Sequence, residues 1–165
     1  MKYSRREIAA IPIVLGGFYR RGLAQSKPAP KEGDDFKHPI KLDLDDKHKA
    51  SKKGVGDTNL RHNILYKITL DEGNLLTAIL SDPPKLVSAP GAMIMRLVKG
   101  DVKDFESATV LATQLTTSKN PGTSSSAKME YAVSVKDDYF IALEFLAGGT
   151  PFQLDVEVTT IFPKA

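Results

Sequence analysis

From Ile40 to Val158 the apolar residues fall on alternate positions, and this period of two leaves little choice of fold. Ile40, Leu42 and Leu44 alternate with Lys41 and Asp43, and Ile64, Tyr66, Ile68 and Leu70 alternate with Leu65, Lys67 and Thr69. Asp71-Glu72-Gly73 then turns the chain into the apolar run 75–80, a hairpin-type signal. Two short runs, 93–98 and 109–115, follow. Met129, Tyr131, Val133 and Val135 alternate again, and Lys136-Asp137-Asp138 turns the chain into Tyr139, Ile141, Leu143 and Phe145. Ala147-Gly148-Gly149-Thr150-Pro151 makes the last turn, before Phe152, Leu154, Val156 and Val158.

In a strand, successive side chains point to opposite faces, so such a pattern buries one face and wets the other. About eight strands separated by turn residues, with no segment after residue 36 that reads as a long amphipathic helix, predict an all-β domain. One-faced alternation is the mark of antiparallel sheets, and two of them packed face to face form a β-sandwich. A closed barrel is the alternative way to hide the same faces. The chain has 165 residues, 41% of them hydrophobic, enough for one core without disulfides. It has no cysteine, which removes thiolate metal sites, iron–sulfur clusters and cysteine nucleophiles.

Residues 1–24 follow a different logic. Lys2, Arg5 and Arg6 precede an apolar run from Ile8 to Phe18, the arrangement of a signal peptide. That run is shorter than the about 20 apolar residues of a membrane-spanning helix, and Pro12 and Gly16-Gly17 break it. Ser4-Arg5-Arg6-Glu7-Ile8 resembles the core of twin-arginine (Tat) signals, which implies the Tat exporter and a signal peptidase as partners during export. Gly22-Leu23-Ala24 supplies small residues for cleavage after Ala24, and delivers the product to the periplasm or the outside of the cell. From Gln25 to Phe36, proline, glycine and alternating charge read as a solvated linker, so residues 37–165 are the expected sandwich domain.

The formal charge of +3 suggests nucleic acid only until its origin is located. Lys2, Arg5, Arg6, Arg20 and Arg21 stand against Glu7 in the first 24 residues. Without them, 23 basic and 20 acidic residues become 18 and 19, a nearly neutral product with no electrostatic case for binding nucleic acid.

Chemistry-bearing residues are scattered. His38, His48 and His62 have no metal-binding spacing. Asp43, Asp45 and Asp46 are the candidate calcium ligands, because hard cations want several oxygens at short spacing; Lys47 and Lys49 oppose them, and Asp34-Asp35 is a second, poorer group. Ser124–Ser126 lack the Gly-x-Ser-x-Gly elbow, and no glycine-rich phosphate loop leads into a helix. No catalytic residue and no cofactor other than calcium is therefore assigned. The conspicuous polar loops are 54–59 and 120–126, and a site built from segments 52–63 and 117–127 is the alternative to a binding surface.

The order of these features resembles the bacterial pre-peptidase C-terminal (PPC) domain, which implies a β-sandwich of jelly-roll-like kind. His38-Pro39-Ile40-Lys41-Leu42-Asp43-Leu44 is similar to its opening strand, and the polar Gly-containing stretch 52–59 to the loop that follows. Leu65 to Gly73 looks like its aromatic-centred strand and Gly turn, and Tyr139-Phe140-Ile141-Ala142-Leu143, Gly148-Gly149 and Phe152-Gln153-Leu154-Asp155-Val156 look like its C-terminal pair. The resemblance implies a non-catalytic accessory module that binds a protein or a polysaccharide of the cell envelope. The other expectation is a small secreted hydrolase or a carbohydrate- or ligand-binding protein.

Overall fold

In the computed structural model the described residues are 31–56, 63–82, 92–100, 104, 107–117, 125–146 and 150–161. The signal residues Ser4, Arg5, Arg6 and Ala24 lie outside them, as does the first half of the linker.

Nine strands, and no helix, make up the described residues. They are β1 (Ile40–Lys41), β2 (Lys49–Gly56), β3 (Asn63–Leu70), β4 (Asn74–Ser81), β5 (Ala92–Lys99), β6 (Thr109–Thr117), β7 (Ser126–Ala132), β8 (Asp137–Phe145) and β9 (Thr150–Thr160). A five-stranded sheet has the order β1-β3-β8-β5-β6, and a four-stranded sheet the order β2-β9-β4-β7. Every pairing is antiparallel except the two-residue β1–β3 contact. The fold is the expected all-β sandwich.

The alternating residues meet between the sheets. Ile64, Tyr66, Ile68 and Leu70 of β3, Met93, Met95 and Leu97 of β5 and Tyr139, Ile141, Leu143 and Phe145 of β8 face Leu76, Ala78 and Leu80 of β4, Met129 of β7 and Phe152, Leu154, Val156 and Val158 of β9. Burying a side chain of this size stabilises the fold by roughly 1.5–3 kcal/mol before the entropy of ordering it is subtracted.

Three local expectations are corrected. The Asp71-Glu72-Gly73 turn exists, with Gly73 at φ 83°, where only glycine is unstrained, but it does not close a hairpin. It carries the chain from β3 in one sheet to β4 in the other. All consecutive strands except β5 and β6 change sheets in this way. Turn composition signals a reversal but carries no information on which sheet receives the next strand.

The second correction concerns Lys49–Gly56, read partly as a polar loop and found as edge strand β2, paired along its whole length with β9. Its inner positions include Gly54 and Gly56 because Phe152 and Phe145 fill the space their side chains would occupy. Those two rings stand 5.4 Å apart at 41°, an aromatic pair worth about 0.5–1.5 kcal/mol beyond its area. In the same stretch of sequence, β1 ends at Lys41, while Leu42 is buried and Leu44 packs at the edge of the core without joining a ladder.

Finally, residues 31–36 are not a solvated linker. Leu65 N–H donates to Gly33 O at 2.9 Å, Gly33 N–H to His38 O, and Gly33 sits at φ 88°. This segment lays Phe36, 7% exposed, edge-on against Phe140 at 5.2 Å. Leu65, Val98, Phe140 and Ala142 form a second, smaller core on the outer side of the five-stranded sheet, and Phe36 covers it.

Candidate binding faces

Among the described residues, the outer side of the four-stranded sheet has no such cover. Strand register brings its outward residues into rows: Lys49, Glu157, Thr77 and Glu130 in one, and Ser51, Asp155, Ile79 and Lys128 in the next. Over β2, β9 and β4 these rows enclose a depression of about 330 Å³, lined by Asp45, Lys49, Ser51, Thr77, Ile79, Asp155 and Glu157 together with Ala50 and Val156. Ile79, 37% exposed, is the apolar step in a polar floor.

Each charged group on the rim is held by a neighbour. Lys49 Nζ meets Glu157 Oε1 at 3.1 Å. Gln153 Nε2 donates to both Asp155 carboxylate oxygens, at 3.1 and 2.8 Å. Asp45 Oδ1 accepts the backbone N–H groups of Lys47 and Lys49 at 2.9 and 2.8 Å, closing the turn in which His48 takes φ 57°. That turn aims Lys49 over the depression. A rim of side chains held in place by hydrogen bonds and one ion pair, acidic on balance, around an apolar step suits recognition of a polar surface with an apolar protrusion.

The sequence-derived calcium candidates fall on separate structures. Asp43 Oδ1 pairs with Lys41 Nζ at 2.9 Å, and this hydrogen bond and charge hold the Asp43 carboxyl below its ordinary range. Asp45 closes the turn just described, and Asp46 is exposed beside it. Among the described residues no group of three or more His, Cys, Asp or Glu is disposed to hold a metal ion. His38 Nδ1 lies 2.8 Å from Asp35 Oδ1, which places Asp35 and His38 in the docked N-terminal segment; His62 lies outside the described residues.

The two ends of the sandwich differ. At one end, short turns are stitched together: Gly73 N–H donates to Val133 O at 2.9 Å, Val133 N–H to Asn74 O at 2.8 Å, and Ile161 N–H to Gly73 O at 2.8 Å. At the other end lie the strand termini Gly56, Asn63, Ser81, Ala92, Thr117, Ser126, Phe145 and Thr150, while residues 57–62, 83–91, 118–124 and 147–149 lie outside the described residues. Segments 52–63 and 117–127, expected to build a site, lie for the most part outside the described residues, and the strands β2, β3, β6 and β7 that border them have their ends there. The strands β3 and β6 that they adjoin are three places apart in the sheet, about 14 Å at the usual strand spacing.

That end also holds the buried polar residues Asp82, Thr116 and Thr150. Asp82 is 1% exposed, and its N–H donates to Ser125 O at 3.0 Å. Among the described residues, both Asp82 carboxylate oxygens and the Ser125 hydroxyl lack a hydrogen-bond partner. Burial pushes the Asp82 carboxyl above its ordinary 3.8. The alternation that turns Leu76, Ala78 and Leu80 inward turns Asp82 inward too, so its position was readable in the sequence. The groove was not, since its lining comes from three strands distant in the chain.

No family model matches the chain, and no curated protein sequence does. Among solved structures, PliG of Aeromonas hydrophila, a periplasmic inhibitor of g-type lysozyme, is 15% identical at a TM-score of 0.49, the match covering 73% of this chain and 96% of that one. CorA of Methylomicrobium album BG8, a surface-associated copper-binding protein, is 10% identical at 0.46, over 74% of this chain and 98% of that one. The pre-peptidase C-terminal domain of a Bacillus anthracis collagenase is 13% identical at 0.42, over 81% and 100%.

Proposed function

We propose that this chain is an exported, non-catalytic β-sandwich module of PPC-like kind that binds a protein or polysaccharide component of the cell envelope through the outer face of its four-stranded sheet. The observation that carries the reading is the depression around Ile79, uncovered among the described residues, set against the opposite sheet, whose apolar outer patch is covered by Phe36. The charged side chains beside it are held by one ion pair and by hydrogen bonds, so a ligand meets a preorganised rim and little side-chain entropy is lost on binding.

Sedimentation of the purified protein with isolated envelopes, and with their polysaccharide fraction, tests the site. Ile79→Arg fills the depression and replaces its apolar step with a charged side chain that can pair with Asp155 opposite, and weakens binding by at least about tenfold. Val135→Arg, an exposed apolar position outside the groove, leaves binding unchanged. Equal binding by both variants overturns the assignment. Export rests on the sequence of residues 1–24: replacing Arg5 and Arg6 by lysine retains the protein in the cytoplasm, and the exported product begins at Gln25.

Asp82 and Ser125 favour a second reading, a ligand or hydrolase site at the loop end of the sandwich, because buried polar groups without partners are rare away from function. A hydrolytic activity abolished by Asp82→Asn with folding intact would establish it.

A further inference from the structure

We infer that the groove around Ile79 takes a basic side chain, arginine or lysine, presented by a protein of the cell envelope; the inference rests on the reading of this face as the binding surface. The ladders fix what stands over the depression. Asp155 lies on the inner strand β9, with Ser51 of β2 opposite it on one side and Ile79 of β4 on the other. Glu157, two residues on, lies between Lys49 and Thr77. Residues of one row share a face of the sheet, so an acid, a hydroxyl and an exposed aliphatic side chain form one patch.

Charge selects the ligand. Three acids, Asp45, Asp155 and Glu157, line the depression against one base, Lys49, and that base is paired with Glu157. The other two carboxylates are held by neutral donors: Asp155 by the Gln153 amide, and Asp45 by the backbone N–H groups of Lys47 and Lys49. Neutral donors fix a carboxylate but leave its charge in place. The surroundings do not balance it. Lys128 is held by Glu130 at 2.6 Å, and Asp46 and Lys47 offset each other in the turn. Counting Lys53, one row beyond the depression, the balance stays negative. A basic side chain also has the right shape, an aliphatic stem with a charged head. The stem packs on Ile79 while the head reaches Asp155, one strand spacing away at about 4.8 Å. An ionised carboxylate has about four acceptor positions, so Gln153 leaves Asp155 open to a further donor. A sugar ring finds no aromatic side chain among the lining residues on which to stack.

NMR titration of the isotope-labelled protein with the peptides acetyl-Leu-Arg-Leu-amide and acetyl-Leu-citrulline-Leu-amide tests the inference, since citrulline keeps the shape of arginine without its charge. The arginine peptide shifts the backbone resonances of Ser51, Ile79 and Asp155. It binds at least about fivefold more tightly than the citrulline peptide, an advantage that shrinks in about 0.5 M salt. Asp155→Asn, which keeps an acceptor oxygen for Gln153, removes that advantage. So does Ser51→Lys, which sets a cation of the protein's own opposite Asp155. Equal binding of the two peptides, or an advantage that survives both variants, overturns the inference. In sedimentation with isolated envelopes, binding falls for both variants and after protease treatment of the envelopes. Binding lost with Ile79→Arg but kept by Asp155→Asn, or matched by the polysaccharide fraction, leaves the groove as the binding face and overturns the basic protein partner. Binding indifferent to all three variants removes the groove itself.

Discussion

The Cβ that Gly56 lacks would overlap the ring of Phe145, whereas one on Gly54 would lie 2.8 Å from the far edge of Phe152. The two glycines therefore differ in what they protect. At Gly56 the added methyl meets the ring near its root, where no rotation of the phenyl group clears it. Gly56→Ala is expected to destabilise the fold by about 2–3 kcal/mol, and Gly54→Ala by less, as urea unfolding of the two variants will measure.

Phe36 closes the smaller core from outside. Phe36→Ala removes its edge-on contact with Phe140 and exposes Leu65 and Ala142 beneath. A loss of about 3 kcal/mol is expected. The cleavage rate in residues 31–38 under limited proteolysis rises with it, because the segment's hold on the sheet is this ring and a few backbone bonds.

Asp82 and Asp138 give the stability opposite slopes with pH. The folded-state pKa of Asp82 is raised by burial, so the folded protein prefers the protonated acid. Stability is lost as pH climbs from the ordinary 3.8 to the raised folded value, and is level above it. Asp138 is lowered by its hydrogen bonds from Lys67, at 2.7 Å, and Thr69, at 2.6 Å. Its contribution is present above 3.8 and fades as pH falls through the lowered folded value. Unfolding curves between about pH 3 and pH 8 separate them: Asp82→Asn removes a loss on the alkaline side, and Asp138→Asn removes a gain.

Asp45 holds a turn through two backbone N–H groups, and this work needs no ion. Asp45→Ala is expected to lower stability by about 1 kcal/mol, as loss of a helix cap does, while Asp45→Asn keeps one acceptor oxygen and most of the stability. Scanning calorimetry with added calcium and with chelator is expected to give one melting temperature for the wild type. A rise with calcium would instead place an ion among Asp43, Asp45 and Asp46.

The period-two pattern by itself determined that this protein is all-β and which side chains of its alternating runs turn inward. The division into two sheets rather than one closed barrel came from the tertiary structure. Inward and outward are properties of neighbouring residues: Leu76, Ala78 and Leu80 point one way whatever the rest of the chain does, and Asp82 must follow them. Gly73 was legible for the same reason, since a left-handed backbone position is a local demand. Only the tertiary structure decided the sheet order. Whether Asp71-Glu72-Gly73 closes a hairpin or crosses to the other sheet depends on what covers β3, and that is β8, some seventy positions away. Tertiary structure likewise made a strand of Lys49–Gly56, whose lysines and glycines have no β preference of their own. Phe145 and Phe152 need the space that Gly54 and Gly56 leave, and that need arises once the sheets have met. It also drew Phe36 out of a polar segment, because one aromatic ring finds an apolar patch whose members Leu65, Val98 and Phe140 are scattered along the chain. The groove around Ile79 belongs to the same class: β2, β9 and β4 become neighbours through long-range pairing, which no local signal records.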